Sequence, residues 1–503
     1  MRSAKSIKGS FVIKIGGVKM VKDVKRIAIV GMGVAGISVL REWAKQKKLH
    51  PSIQLTVFGD KNTFGTGFPY KKDSDILLMN VFAKFTTIIP QSKDDFVEWL
   101  QTTQGIDHPE FGFYPRQLFG EYLTERMNDW LKQSNASVIK EKVNTIHRLD
   151  NNKFRLIFDS GMSDFDFVHL CIGHLPYKDP YDLINNPRFI VNPFPISEKL
   201  SVIPKGSSVG VLGTGLTSID IFRYIHFKRP DIKLSFFSRT GRFKAIIGEY
   251  NEVNHKYFTL ENIERTKAEN DGFIPLEKYI DWFKKEFDNK QLLLKMDLEN
   301  YDFGSKNTIE WQLNNLDKIG LIQGPIINMN HLLTKLWMAL TETDKQNFLE
   351  RYYDKWEKLI SSTSPMSAKL LLSAWKTNEI NVFENLEDIV YRGDHFKIIL
   401  KNKQHHVFDY IINASGNDKN VSYKQHRNNL LFQLLNERLL QPETFGGVQV
   451  TLPDFSAVSQ KYGVIKNFKI HGQLVSGIQF GNNSVNIVSD SAKPAVDDIV
   501  KSL

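Results

Sequence analysis

Two stretches of the chain share one hydrophobic pattern. RIAIV (Arg26–Val30) and SVGVL (Ser208–Leu212) are short, nearly unbroken apolar runs. Such runs suit strands of a parallel sheet buried on both faces. Each is followed by glycines and then by a helical stretch. After the first, Ile37, Leu40 and Ala44 fall on one helical face. IQLTVF (Ile53–Phe58) and KLSFFSRTGR (Lys233–Arg242) supply the next strands. The pattern predicts two strand–turn–helix–strand units, each a parallel pair with a right-handed crossover.

Between and after these units the pattern changes. Residues 61–125 read as loop-rich, ending in a helix at LFGEYLTERMNDWL. VNTIHRL and FRLIFDS, joined by DNNK, read as a hairpin. FDFVHLCIG (Phe165–Gly173) and FDYIINASG (Phe408–Gly416) read as matching strands that end at a glycine. Pro176, Pro180, Pro193, Pro195 and Pro204 punctuate a linker. From about 250 to 380 the apolar positions take helical spacing: Leu276, Tyr279, Ile280, Phe283 and Phe287; Leu333, Leu336, Trp337 and Leu340; Phe348, Tyr352, Trp356 and Leu359. These are expected to be core faces of a helical insertion. The expected fold is α/β: two Rossmann-like dinucleotide-binding domains of parallel sheet and helices, with a small antiparallel hairpin layer and a helical insertion.

Charge divides the chain unevenly. The formal net charge is +10, and residues 1–26 hold eight Lys/Arg against Asp23. That leaves only +3 for the other 477 residues. Residues 1–24 are expected to form a basic mobile tail, and Met20 is an alternative natural start. FVIKIGGV is interrupted by Lys14 and lacks a signal-peptide cleavage pattern. No run approaches the ~18 uninterrupted apolar residues of a membrane span. No nucleic-acid module signature is present. A single cysteine, Cys171, allows neither an internal disulfide nor a CxxC pair. The expected partner is a small molecule, with no nucleic acid and no membrane, and the expected location is cytoplasmic. His405-His406 would point to opposite faces of a strand at the surface, and no metal-ligand spacing is visible.

The glycines carry the chemistry. In GMGVAG, Gly31, Gly33 and Gly36 fit G-x-G-x-x-G. Gly31 would permit the tight turn, Gly33 the approach of a pyrophosphate, and Gly36 close packing of helix on strand. Val34 and Ala35 open the helix, whose N-terminus favours phosphate. An acid should end the second strand and bind a ribose hydroxyl. Gly59 stands where strand register would put it, and Asp60 follows, as either the ribose ligand or part of a turn. In GTGLTS, Gly213 and Gly215 match, Leu216 and Thr217 open the helix, and Ser218 replaces the third glycine. The next strand ends in SRTGR, without an acid. Ser238, Arg239 and Arg242 are therefore candidates for a 2′-phosphate, favouring NADPH over NADH; two solvated arginines in a turn is the alternative.

Further motifs resemble one family. FGTGFPY (Phe64–Tyr70) with LLMNV (Leu77–Val81) looks like a G-x-G-x-x-Y…L-N-V segment. YPRQLFGEYL (Tyr114–Leu123) looks like P-R-x-x-x-G-x-Y-L, and LWMALTETDKQNFLERYYDKWE (Leu336–Glu357) like a helical insertion. Over residues 25 to 500 the chain resembles the FAD-NAD(P)-binding proteins, similar to flavin-containing and N-hydroxylating monooxygenases. The resemblance implies FAD at the first loop and a nicotinamide dinucleotide at the second, whose domain is inserted in the FAD domain. The expected boundaries are 25–204 and 386–503 for the FAD domain and 205–385 for the NAD(P) domain. The resemblance also implies Tyr70 and Arg116 near the cofactors and a catalytic Asn80 near the flavin; Asn80 as a turn residue is the alternative. Val143, Gly173 and Gly416 complete the candidate cofactor contacts. Where the family carries a His/Arg-rich stretch, this chain has LISSTSPMS (Leu359–Ser367), so a role for those basic residues does not transfer.

The implied reaction passes hydride from NADPH to FAD. One cysteine excludes a dithiol relay, leaving oxygen, a quinone-like acceptor or a protein acceptor. A monooxygenase-like reaction, with O2 activation and oxygenation of a small molecule, is expected. A non-catalytic FAD/NAD(P)-binding module or redox sensor, or a reductase serving another acceptor, stays open.

Overall fold

The computed structural model describes residues 12–15, 18–21, 24–250, 252–288, 302–421 and 429–503. Arg26–Val30 lies inside a six-stranded sheet in the order Ser456–Ser459, Gly463–Ile470, Phe167–Leu170, Arg26–Val30, Gln54–Phe58, Ser137–Ile139. All its pairs are parallel except the first, at the edge. Alternation along the strand decides what covers each face. Ile27 and Ile29 pack with Ile37, Leu40 and Trp43 under the Val34–Lys47 helix. Ala28 and Val30 pack with Phe154, Leu156 and Phe165 of an antiparallel layer. That layer has three strands: Val143–Arg148, Phe154–Phe158 and Gly161–Phe165.

The same plan recurs. A five-stranded parallel sheet runs Phe189–Ile190, Tyr410–Asn413, Ser208–Leu212, Lys233–Phe237, Ile380–Phe383. Val209 and Val211 face Ile219 and Phe222 of the Leu216–Lys228 helix. Leu212 and Phe237 face a second antiparallel layer, Leu386–Arg392, His395–Leu400 and His405–Phe408. In each sheet the strand beside the first one is followed, three residues on, by a positive-φ glycine, Gly173 (φ 84°) or Gly416 (φ 85°).

Sheet membership moves the expected boundaries. Residues 386–413, expected in the second part of the FAD domain, belong to the second sheet and its layer. Phe189–Ile190, expected before the boundary at 204, also pairs there. The chain then returns to the first sheet through residues 456–470, so the second unit is inserted in the first. Helices from Leu260 to Lys376 form the insertion. Leu336 and Leu359 enter one core and Leu340 another, alongside Trp337. The side chain of Phe287 lies outside the described residues.

Three local expectations change. Within the expected mobile tail, Val12–Ile15 pairs antiparallel with Val18–Val21; residues 1–11, 16–17 and 22–23 lie outside the described residues. The loop-rich stretch contains the helix Asp95–Gln104. His405 is exposed, but His406 is half-buried, its ring tilted against Phe383 with 4.1 Å between ring centroids. Among the described residues no helix is long and apolar enough to cross a membrane, and no three His, Cys, Asp or Glu side chains group to hold a metal.

Candidate dinucleotide sites

Each glycine of the first loop meets its own steric demand. Gly31 has φ +100°, and a Cβ there would lie 2.3 Å from the carbonyl oxygen of Cys171. Its N–H donates to Phe58 O at 2.8 Å, closing the turn on the second strand. Gly33 caps the Val34–Lys47 helix, and its Cβ would approach Gly67 Cα to 3.1 Å. A Cβ on Gly36 would sit 1.9 Å from Gly31 O. The first helical N–H groups, at Val34 and Ala35, have no acceptor within the helix and face an anion's position. Two contacts absent from the sequence reading border this loop. Gly67 faces Gly33, and Gly472, from the C-terminal segment, lies within 3.3 Å (as a Cβ) of Ala35 Cβ. Cys171 is buried, and burial pushes its thiol well above the usual range.

The other candidates of the first unit separate. Asp60 accepts from the Asn62 N–H at 2.9 Å and pairs with Lys142 at 3.0 Å. The Asn62 hydrogen bond is the main cause holding its carboxyl below the ordinary value. The structure thus engages Asp60 as a turn residue. Tyr70 packs edge-on against Phe119, and burial pushes its phenol up to about 12. The carbonyl of Tyr70 explains Gly120 in the P-R-x-x-x-G segment, because a Cβ there would sit 2.1 Å away. Val143 packs in the core with Phe58 and Phe158. Asn80 follows the Leu78–Pro115 bridge, half-buried, with no hydrogen-bond partner among the described residues. Gly173 and Gly416 are open: nothing lies within 4 Å of a Cβ at either.

Arg116 is taken up by the second unit. Its Nη1 lies 2.8 Å from Asp220 Oδ2, and its Nη2 donates to Oδ1 at 3.1 Å. Its Nε donates to Leu78 O at 3.0 Å. Expected near the cofactors, its guanidinium bridges the two units, because the buried Asp220 carboxylate at the foot of the second helix needs a cation.

The second loop repeats the first with one change. Gly213 has φ +118°, its N–H donates to Phe237 O at 2.8 Å, and a Cβ would lie 2.7 Å from Ala414 O. Gly215 caps the helix that Leu216 and Thr217 open. Ser218 is fully buried and donates its hydroxyl to Gly215 O. At the ribose end, Ser238 Oγ accepts from the Gly241 N–H at 2.8 Å and bonds Thr214, so it shapes the turn. Arg242 pairs with Asp302 at 2.6 Å and Glu384 at 3.3 Å. Arg239 is exposed and has no such partner among the described residues. Lys244, unmarked by any motif, reaches within 3.9 Å of a Cβ built on Gly215.

Where the two strands followed by Gly173 and Gly416 leave their sheets, Tyr177 and Asn417 bridge. A cavity of about 530 Å³ opens beside this crossing, walled by Trp337, Tyr353, Phe445 and Phe480 with Lys178 and Lys419. A smaller one, about 140 Å³, lies against Arg116, Tyr177 and Asn417. The ends of parallel strands at a reversal of strand order are where open α/β sheets take ligands.

Residues 28–175 match the family described as FAD-NAD(P)-binding. The chain is also similar to solved structures over almost its whole length. L-lysine 6-monooxygenase from Pseudomonas syringae is 13% identical, with 96% of this chain and 100% of that chain covered and a TM-score of 0.58. The reduced form of ornithine hydroxylase from Pseudomonas aeruginosa is 12% identical, covering 95% and 99%, with a TM-score of 0.56. Ornithine N-hydroxylase from Kutzneria sp. 744, solved with reduced FAD, NADP+ and L-ornithine, is 12% identical, covering 95% and 100%, with a TM-score of 0.54. The fold is that of the N-hydroxylating monooxygenases. Among curated proteins none matches the chain in sequence.

Proposed function

We propose that the protein is a FAD-dependent, NADPH-using monooxygenase of a small molecule. The observation that carries this reading is the pair of glycine loops, the second with Ser218 at its third position, with different ribose ends, set in two sheets whose open strand ends meet beside one cavity. The residues fit the two nucleotides. Gly31, Gly33 and Gly36 leave the diphosphate cradle clear, and a side chain on any of them would fill it or distort its turn. Gly173 is open where a ring system would extend across the strand end.

FAD, when bound, supplies hydride acceptance and oxygen chemistry. The chain's own residues bind and orient. The N–H groups of Val34 and Ala35 take the first diphosphate, and those of Leu216 and Thr217 the second. Arg239, with an unengaged guanidinium, reads a 2′-phosphate. Asn80 offers a free amide to orient a reacting group. The larger cavity, walled by aromatic side chains together with Lys178 and Lys419, takes the small molecule. Cys171, buried and with its thiol pK raised, takes no part as an electron relay. A cytoplasmic location, where NADPH is at hand, goes with this reading.

The test is the absorption spectrum of the purified protein before and after anaerobic NADPH, followed by air with candidate substrates. A yellow protein bleached faster by NADPH than by NADH, and a product heavier by one oxygen, are expected. A colourless protein that takes up no FAD overturns the reading in favour of a binding module. Bleaching followed only by peroxide release, or by electron delivery to a quinone or protein, overturns the monooxygenase step.

A further inference from the structure

We propose that Lys244 is the phosphate ligand of the second glycine loop, and that Glu357 is the partner it releases when a dinucleotide binds. The proposal rests on the functional reading above. A Cβ placed on Gly215 would find a single atom within 4 Å, Lys244 Cε at 3.9 Å. The lysine stem therefore lies over the start of the Leu216–Lys228 helix, whose first N–H groups have no intrahelical acceptor. The Lys244 side chain is only 11% exposed, and its ammonium pairs with the Glu357 carboxylate. Burial is the main influence on this ammonium and pushes its pKa down, and Glu357 opposes that effect. The loop segment Thr214–Thr217 contains no acid. A carboxylate from the insertion thus holds the cation next to a loop shaped for an anion. A diphosphate there would compete for the same ammonium, with added support from the helix N-terminus.

Glu357 belongs to the helix Tyr353–Ile360. Tyr353 is four residues earlier on the same face. Its hydroxyl accepts from Lys419 Nζ at 2.7 Å, and both residues wall the 530 Å³ cavity. The backbone after Lys244 is tied to the same helix, since the Ala245 N–H donates to Lys358 O at 3.1 Å. One short helix therefore reaches Lys244 through Glu357 and the cavity through Tyr353. Releasing Glu357 loosens the end of the helix that fixes the cavity wall, so nucleotide occupancy alters the small-molecule site.

The experiment is calorimetric titration of the full-length, FAD-loaded protein with NADP+, with hydrogen exchange read over 353–360. Lys244→Met should weaken NADP+ about tenfold or more, as expected for a lost charge-assisted hydrogen bond. Glu357→Gln should tighten it, because the competing carboxylate is gone. NADP+ should reduce protection of the helix in the wild type, and Glu357→Gln should show that reduction without nucleotide. Lys244→Arg, which keeps the charge, should retain binding, and it serves as the probe if the methionine variant fails to retain FAD. Equal weakening by Lys244→Met and Glu357→Gln would make the pair a structural bridge and overturn the proposal. Unchanged affinity in both, with wild-type binding intact, overturns it too and leaves the functional reading standing. A wild type that binds no NADP+ overturns both.

Discussion

The guanidinium of Arg116 and the carboxylate of Asp220 join the two nucleotide-binding units through two contacts, at 2.8 and 3.1 Å. Asp220 is 4% exposed, and burial is the leading influence on it, raising its pKa against the pull of Arg116. A buried charge that loses its partner is expensive, about 3–5 kcal/mol. Arg116→Met should therefore destabilise the protein by about that amount. Adding Asp220→Asn should recover part of the loss, because the buried carboxylate left without Arg116 is gone. Urea denaturation of the two variants checks this; equal stability of Arg116→Met and wild type would refute it.

The two loops differ at their third position, and that difference is testable by exchange. Gly36 has no room, with Gly31 O 1.9 Å from a Cβ, whereas Ser218 is buried and bonds Gly215 O. Gly36→Ser should abolish FAD retention and lower the thermal midpoint, since overpacking against backbone costs about 1–3 kcal/mol or more. Ser218→Gly should cost only about 1 kcal/mol, the penalty of a glycine inside a helix. Flavin content after purification and the melting curve separate the two outcomes.

The loops were legible in the sequence because each glycine answers a backbone constraint within a few residues of itself. The apolar runs at 26–30 and 208–212 were legible because parallel strands are buried on both faces. Domain membership was not. Tyr410–Asn413 joins a strand two hundred residues earlier, and nothing local encodes that partner. The third strand of the first layer, GMSDF, escaped because only its last residue is buried, leaving no apolar alternation to read. The Arg116–Asp220 pair was not legible, because an arginine after a proline carries no mark of its counter-ion. Lys244 belongs to no motif; its position depends on a turn closing back over Gly215.

A buried histidine pair gives the fold a defined response to acid. Trp43 Nε1–H donates to His169 Nε2 at 3.1 Å. His169 then carries its proton on Nδ1, which lies 3.0 Å from His471 Nε2, and His471 Nδ1 lies 3.2 Å from Ser491 Oγ. The Ser491 hydroxyl donates to Val488 O at 2.8 Å. Every site in this neutral chain is used, so an added proton finds no acceptor. Burial, assisted by Lys469, pushes His471 down to about 3, and burial with His471 pushes His169 well below its usual value. The unfolded chain therefore binds protons that the folded one refuses. Stability should fall as pH drops below about 6.5, by up to about 1.4 kcal/mol per unit for each histidine. Between pH 6.5 and 5 this pair shares the slope with His174, His255 and His406, whose imidazoles burial also lowers, so its own part is the portion lost on substitution. Denaturation midpoints across that window should flatten in the His169→Gln, His471→Gln double variant.

Arg239 and Arg242 differ in what already holds them, and this predicts unequal roles in nucleotide choice. Arg242 is paired with Asp302 and Glu384, and the Asp302 hydrogen bond is the chief cause of its raised pKa. Its removal would release two carboxylates beside the proposed 2′-phosphate, so Arg242→Ala should lower both stability and NADPH affinity. Arg239 is exposed and has no such partner, so its removal leaves no charge stranded. Arg239→Ala should keep the wild-type melting temperature and lose about tenfold or more of the preference for NADPH over NADH, the worth of one charge-assisted hydrogen bond. The measurement is the KM for each nucleotide in the flavin-bleaching reaction. NADPH and NADH should converge through a rise in the NADPH value alone, because NADH has no phosphate to lose. An Arg239→Ala protein with its NADPH preference intact would return Arg239 to the status of a solvated turn residue.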